Sequence, residues 1–255
     1  MPTSTTYLRN AHLAYHGKTV FAEVNLTLTP GKWLALLGQS GVGKSSLLKL
    51  IAGLIKKDRN TKGSLEIETS YPQPFSNHIA YMAQTDMLLP WLTVFENATL
   101  QLKLRKQTKD QINDIHRLAT EWLGKVGLTD SRHAYPHALS GGMRQRVALV
   151  RTFLENKPII LMDEPFSALD AITRYQLQAL AADLLRHKTV IMITHDPLEA
   201  LRLADDIFIM QKGVPGLKQV ANLKSPTPRE LTETGFAEHQ AMLFAELAKA
   251  GGELC

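Results

Sequence analysis

The chain carries one cysteine in 255 residues, and it is the last residue, Cys255, so no disulfide can form within it. That scarcity fits a reducing compartment and makes the cytoplasm the expected location. No apolar run approaches the roughly 20 residues that a membrane-spanning helix needs, and Met1 to Tyr15 lacks a continuous apolar segment of signal-peptide length. Work at a membrane would therefore have to pass through a partner. Aromatic residues are sparse at 7%, and neither sign of charge dominates, with 29 Lys and Arg against 24 Asp and Glu. A surplus of +5 without a dense basic tract suits phosphate ligands or an anionic membrane surface. It gives no reason to expect nucleic acid. Internal repeats and low-complexity tracts are also missing, which removes solenoids and disordered linkers from consideration.

What is present is organised around Gly38-Gln39-Ser40-Gly41-Val42-Gly43-Lys44-Ser45, which follows the apolar run Trp33 to Leu37 and matches G-x-x-x-x-G-K-[ST]. Glycines let backbone N–H groups turn onto a polyphosphate, Lys44 supplies charge for the β- and γ-phosphates, and the Ser45 hydroxyl suits Mg²⁺. Ser46 opens an apolar segment to Ile55 that reads as a buried helix, its N-terminus facing the same phosphates. Strand, glycine loop and helix stand in the order a P-loop requires.

Around this centre the chain is β-rich at its start. Tyr7 to Tyr15 and Val20 to Leu28 read as strands flanking a His16-Gly17 turn, and Tyr15 either stacks on an adenine or packs in the core. Gly63 to Glu68 alternates as a strand, and Ile79 to Ala83 is a short buried strand ending at the amide of Gln84. From Thr85 the pattern turns helical, beginning with Met87 to Leu92 and continuing from Val94 to Leu104. Thr108-x-x-Gln111 is a capping box opening an amphipathic helix that Gly127 closes.

Ser140, placed as an N-cap, and the bare Gly141-Gly142 begin a second helix whose N-terminus is built to meet an anion. Ile159 to Met162 is a buried strand ending in Asp163 and Glu164, where ligands bind in open α/β sheets. Asp163 is placed to hold Mg²⁺ through water and Glu164 to orient and deprotonate an attacking water. Thr189 to Ile193 is a further buried strand ending at Thr194-His195; Asp196, Pro197 and Glu199 occupy N-cap, N1 and N3 of the next helix. Ile207 to Met210 is a last strand, broken by Gly213-Val214-Pro215-Gly216, and Ala237 to Ala250 a terminal helix.

Taken in order, Gly38 to Ser45, Gln84, Leu139 to Gln145, Ile160 to Glu164, Ser167 to Asp170 and His195 resemble an ABC transporter ATP-binding subunit over nearly the whole chain. The resemblance implies an α/β P-loop NTPase with a RecA-like core, an antiparallel β subdomain and a helical insert. The ATP-binding domain would span 1–230, with the core in 1–84 and 156–230, the helical subdomain in 85–155, and a C-terminal helix and tail in 231–255. Tyr15 would be the adenine-stacking aromatic, Gln84 the Q-loop glutamine serving metal and catalysis, Leu139 to Gln145 the signature, and His195 the switch histidine. ATP and Mg²⁺ would be the ligands. Two copies, or a paired ATPase subunit, would close head to tail, with Ser140 to Gly142 of one chain on the nucleotide of the other.

More finely, Leu88 to Val94, Tyr135-Pro136-His137 and Asp163 to Asp170 look like importers of nitrate, sulfonates, taurine or thiamine-precursor pyrimidines. Such importers are peripheral on the cytoplasmic face of the inner membrane, with transmembrane permease subunits and, indirectly, a periplasmic or lipid-anchored solute-binding protein. Ala138 and Val150-Arg151-Thr152 depart from that subfamily at positions that carry no catalytic group. A soluble ABC ATPase of DNA repair or translation is the alternative; it would call for two cassettes or a coiled-coil insert. Met87 to Leu92 is either a buried cluster or, in part, a groove for a short permease helix.

Overall fold

The computed structural model describes residues 5–56, 58–211, 216–233 and 235–250. Cys255 and, of the segment expected to break the last strand, Gly213 to Pro215 lie outside the described residues. β1 (Thr6–Tyr15) and β2 (Lys18–Leu28) form an antiparallel hairpin over His16-Gly17, both of which take positive φ. β3 (Trp33–Gly38) and α1 (Lys44–Ile51) follow, and β4 (Thr61–Glu68) returns to pair with β1. The result is a three-stranded antiparallel sheet in the order β2-β1-β4.

A second sheet is built around β3. It contains β5 (Ile79–Met82), β6 (Ile159–Asp163), β7 (Thr189–Ile193), β8 (Asp206–Met210) and β9 (Leu217–Asn222), in the order β5-β6-β7-β3-β8-β9. All neighbours are parallel except β9, which runs antiparallel to β8. The continuous apolar runs of β6 and β7 are explained by burial on both faces. Leu34, Leu36, Leu161, Ile191 and Ile193 pack on one face against Leu47, Leu48 and Ile51 of α1 and against Leu13 and Phe21. Ala35, Leu37, Ile160, Met162 and Met192 pack on the other, beneath α5 (Gly141–Leu154), α6 (Ala171–Leu184) and α7 (Pro197–Leu203). Because the strands are parallel, the ends of β3, β5, β6 and β7 share one edge, where Gly38, Gln84, Asp163 and His195 emerge.

Between β5 and β6 lie α2 (Val94–Ala98), α3 (Gln101–Leu104), α4 (Lys109–Lys125) and α5, with α8 (Phe236–Ala250) closing the chain. The capping box on α4 is formed as expected, Thr108 accepting from the Gln111 N–H and Gln111 from Thr108. Two helices differ from expectation. α1 stops at Ile51, not Ile55, because Gly53 adopts φ 71° and the Leu54 N–H turns back to the Lys49 carbonyl at 2.8 Å. The segment Met87 to Leu92 is not helical. Thr93 and Glu96 form a capping box that fixes the start of α2 at Val94, and the Asn97 side chain binds the preceding loop through Leu89 and Leu92. α6 and the edge strand β9 are further elements that the apolar pattern does not announce.

Candidate functional site

The P-loop leaves β3 through Gly38, whose φ of 140° and position allow no side chain: a Cβ there would lie 2.4 Å from the Met210 carbonyl oxygen. Gly43, at φ 114°, is the N-cap of α1 and provides no side-chain cap, and the first turn contains no acidic residue. The amides of Lys44, Ser45 and Ser46 therefore face the loop without a capping side chain, which is an anion seat. Gln39, Ser40 and Gly41 form the exposed arch of the loop, whereas the Val42 side chain is buried in the core and only its backbone faces the arch. Lys44 is itself buried, its Nζ donating to the carbonyls of Gly38 at 2.7 Å and Gln39 at 2.9 Å. Burial pulls its pKa down, opposed by the charges of the nearby Glu164 and Asp163.

Asp163 ends β6 with 3% of its surface exposed. Burial raises its pKa; a hydrogen bond with Ser45 opposes this, and neighbouring Glu164 adds to it. Glu164 takes φ 51°, its N–H bonded to the Ile193 carbonyl at 3.0 Å, which swings its side chain off the strand axis. Its Oε2 meets Gln84 Nε2 at 3.3 Å and His195 Nδ1 at 3.4 Å. Two polar groups that lie far from Glu164 in the chain thus converge on one of its carboxylate oxygens.

Among the described residues no cluster of three or more His, Cys, Asp or Glu forms a metal cage. The available set is the Ser45 hydroxyl, the Asp163 carboxylate bonded to it, and the nearby Gln84 amide. So few hard oxygen donors suit Mg²⁺, which keeps waters and takes phosphate oxygens as its other ligands.

Two other sets of sequence-identified residues stand apart from this centre. Tyr15 ends β1, paired with Lys18 and Thr61, and its ring is exposed, which removes core packing as its role. Ser140 caps α5, its Oγ accepting from the Met143 N–H at 3.2 Å, while Gly142 lies so close to the Ala168 carbonyl that a Cβ would sit 3.1 Å away. The contacts of this helix start are thus with the loop after Glu164, in the same chain. Gln145 strengthens that contact, donating to the Glu164 carbonyl at 3.0 Å and accepting from the Ala168 N–H at 2.9 Å.

The cluster Met87 to Leu92 is divided. Leu92 is buried and Leu88 packs on the core, whereas Met87 and Trp91 are 65% and 68% exposed. Two arginines to which the sequence assigned no such role hold this loop: Arg151 donates to the carbonyls of Asp86 at 2.6 Å and Met87 at 2.9 Å, and Arg144 to the Asp86 carboxylate at 2.9 Å. Their partners lie about sixty residues away, beyond the reach of local spacing.

Residues 21–167 match the family profile described as ABC transporter. An uncharacterized ABC transporter ATP-binding protein of Haemophilus influenzae is 41% identical over 251 residues, 96% of this chain and 98% of that one. An aliphatic sulfonates import ATP-binding protein of Pseudomonas syringae pv. syringae is 36% identical over 252 residues, covering 98% of this chain and 99% of the relative. Among solved structures, the dimeric post-hydrolysis state of an ATP-binding cassette bound to ADP and Pi superposes with a TM-score of 0.70 at 28% identity, covering 86% of this chain and all of that one. These matches run through the glycine loop and the acid pair and leave no large part of the chain unaccounted for, and the chain belongs to the ATP-binding, ATP-hydrolysing subunits of the ABC transporter family.

Proposed function

We propose that the chain is the motor subunit of a bacterial importer for a small solute of the sulfonate, nitrate, taurine or thiamine-precursor type. The observation that carries its chemistry is the meeting of Gln84 and His195 on one oxygen of Glu164, beside buried Lys44 and Asp163. In this reading the amides of Gly41 to Ser46 hold the phosphates of ATP and Lys44 exchanges its two loop carbonyls for phosphate oxygens. Tyr15 offers its exposed ring to the adenine. Glu164 accepts a proton from the attacking water, Gln84 orients that water, and His195 donates to the terminal phosphate. Ser45, Asp163 and Gln84 would hold Mg²⁺, which draws charge from the phosphate oxygens.

Ser140 to Gly142 are assigned to the nucleotide held by a second copy or a paired ATPase subunit; within their own chain Gly142 packs on the Ala168 carbonyl. The dimeric cassette superposing on this chain supports that arrangement. We assign residues 85–155 to a helical subdomain carried by a core of 1–84 and 156–230, with 231–255 as a tail. No helix of the described residues is long and apolar enough to cross a membrane. Attachment at the cytoplasmic face would come through permease subunits docking on exposed Met87 and Trp91, with a solute-binding protein acting on the permease from the other side.

The test is a pair of variants assayed with MgATP. Lys44→Ala should lose ATP binding and hydrolysis, whereas Glu164→Gln should bind ATP, stop turnover and accumulate as an ATP-dependent dimer in light scattering. Wild-type turnover by Lys44→Ala would overturn the site. A Glu164→Gln chain that stays monomeric at saturating ATP, both alone and with its permease, would overturn the shared-site dimer.

A further inference from the structure

His195 sits on a turn between β7 and α7, with a side chain that is 65% exposed and that, among the described residues, has a polar contact with Glu164. At 3.4 Å from one carboxylate oxygen, that contact is a weak hold on the ring. The residues on either side are anchored instead. The Thr194 hydroxyl, buried, donates to Glu199 Oε2 at 2.5 Å and accepts from the Asp196 N–H at 3.0 Å. Glu199, one turn into α7, is 5% exposed, and its other carboxylate oxygen accepts from Gln178 Nε2 of α6 at 3.0 Å. Gln178 is oriented in turn by Arg202, whose Nη1 donates to the Gln178 side-chain oxygen Oε1 at 2.8 Å while its guanidinium lies 3.4 Å from the centre of the Tyr175 ring.

A carboxylate this deep is unfavourable as packing. Burial pushes its pKa up, and an apolar side chain of similar size would fill the space without the desolvation penalty. What a carboxylate adds is direction: two bonds of fixed geometry, one to α6 and one to the residue immediately before the histidine. Glu199 would otherwise serve as the N3 acid of α7, the role its spacing suggests. Its bonds lead elsewhere, and the α7 cap is made by Asp196, which accepts from the Leu198 N–H at 2.9 Å.

We propose that Glu199 is a positioning residue for His195: through the Thr194 hydroxyl it ties the histidine turn to α6 and so sets where the imidazole stands relative to Glu164. This rests on the assignment of His195 to the reacting phosphate, and the experiment separates the two. Thr194→Val keeps the volume and removes the hydroxyl link, leaving Glu199 bonded to Gln178, so it tests the link even if Glu199→Gln folds poorly.

With the full-length chain and MgATP, Thr194→Val should lower kcat about tenfold, as displacement of a catalytic group by a fraction of an ångström does. KM should stay within about twofold, because the phosphate seat is untouched. In a His195→Ala background the same substitution should cause no further loss, since its effect passes through the ring. The imidazole proton resonances of His195 should also shift in Thr194→Val, a readout independent of turnover. Full kcat and an unmoved imidazole signal in Thr194→Val would overturn the inference, and so would losses that multiply in the His195→Ala background. His195→Ala turning over at the wild-type rate would overturn the role of the histidine itself and this inference with it, while leaving ATP binding by the P-loop in place.

Discussion

Asn97 gives the sharpest quantitative test of how the exposed loop before α2 is held. It is fully buried, and its Nδ2 lies 3.1 Å from the Leu89 carbonyl and 3.0 Å from those of Leu92 and Thr93, while its Oδ1 accepts from the Leu89 N–H at 2.8 Å. Two amide hydrogens serve three carbonyls, so truncation to alanine removes the equivalent of about three bonds at about 1 kcal/mol each. The expected loss is therefore about 3 kcal/mol, a substantial part of the roughly 5–15 kcal/mol that stabilises a typical domain. For a chain of this size that corresponds to a fall in Tm of roughly 6–12 °C. Urea denaturation should show a lower midpoint at unchanged m, and the Leu89 amide should exchange faster with deuterium. ATP affinity should hold, because no bond of Asn97 reaches the P-loop. A loss under about 1 kcal/mol would refute the reasoning, showing that the Thr93-Glu96 capping box and buried Leu92 suffice to shape the loop.

Three further outcomes follow from the geometry. Gly38→Ala should cost about 3 kcal/mol and most of the ATP binding, since its Cβ would stand 2.4 Å from the Met210 carbonyl; equal urea midpoints for variant and wild type would contradict this. Met87→Ser and Trp91→Ser should each change stability by no more than about 0.5 kcal/mol and spare ATP binding, yet reduce co-purification with permease subunits; undiminished recovery of the complex would remove those residues from the docking surface. Glu199, whose pKa burial raises above the ordinary carboxylate value, binds protons more tightly in the folded chain than in the unfolded one. Wild-type stability should therefore gain a contribution as pH falls from the raised value to the ordinary one, a gain that Glu199→Gln lacks; parallel urea midpoints for the two proteins between pH 8 and pH 5 would show no such shift.

How much of this could be read from the residues alone depended on whether the determinant was local. Gly38 to Ser45 and Asp163-Glu164 each combine chemistry with a neighbouring apolar run, so strand, turn and ligand-facing edge are written together in the short stretches Trp33 to Ser45 and Ile159 to Glu164. Thr108 to Gln111 and Ser140 are equally local, and each caps the helix it precedes. Gln84 and His195 lack such a signature, since an amide or imidazole at a strand end is ordinarily just solvated, and only the family pattern singled them out. Asn97, Arg151 and Glu199 were out of reach because the partners that give them meaning are placed by tertiary packing. The apolar run Met87 to Leu92 misled for the same reason: its composition suits a helix, but the side chain of Asn97 offers its backbone a competing set of bonds. β9 escaped notice because an edge strand with one half-buried face shows little alternation.

The packing behind the P-loop has a kinetic meaning. A Cβ on Gly43 would meet Val20 at 2.8 Å, Phe21 at 3.2 Å and Met210 at 3.3 Å, so the antiparallel sheet and β8 press on the loop from behind. A loop wedged in this way enters the encounter already shaped, and little chain entropy remains to be lost when a phosphate arrives. What capture would still require is an exchange at Lys44, whose ammonium now bonds the carbonyls of Gly38 and Gln39. Both the departure and the return are local rotations of one side chain, so the seat can be filled and, once the nucleotide has left, restored without refolding the loop.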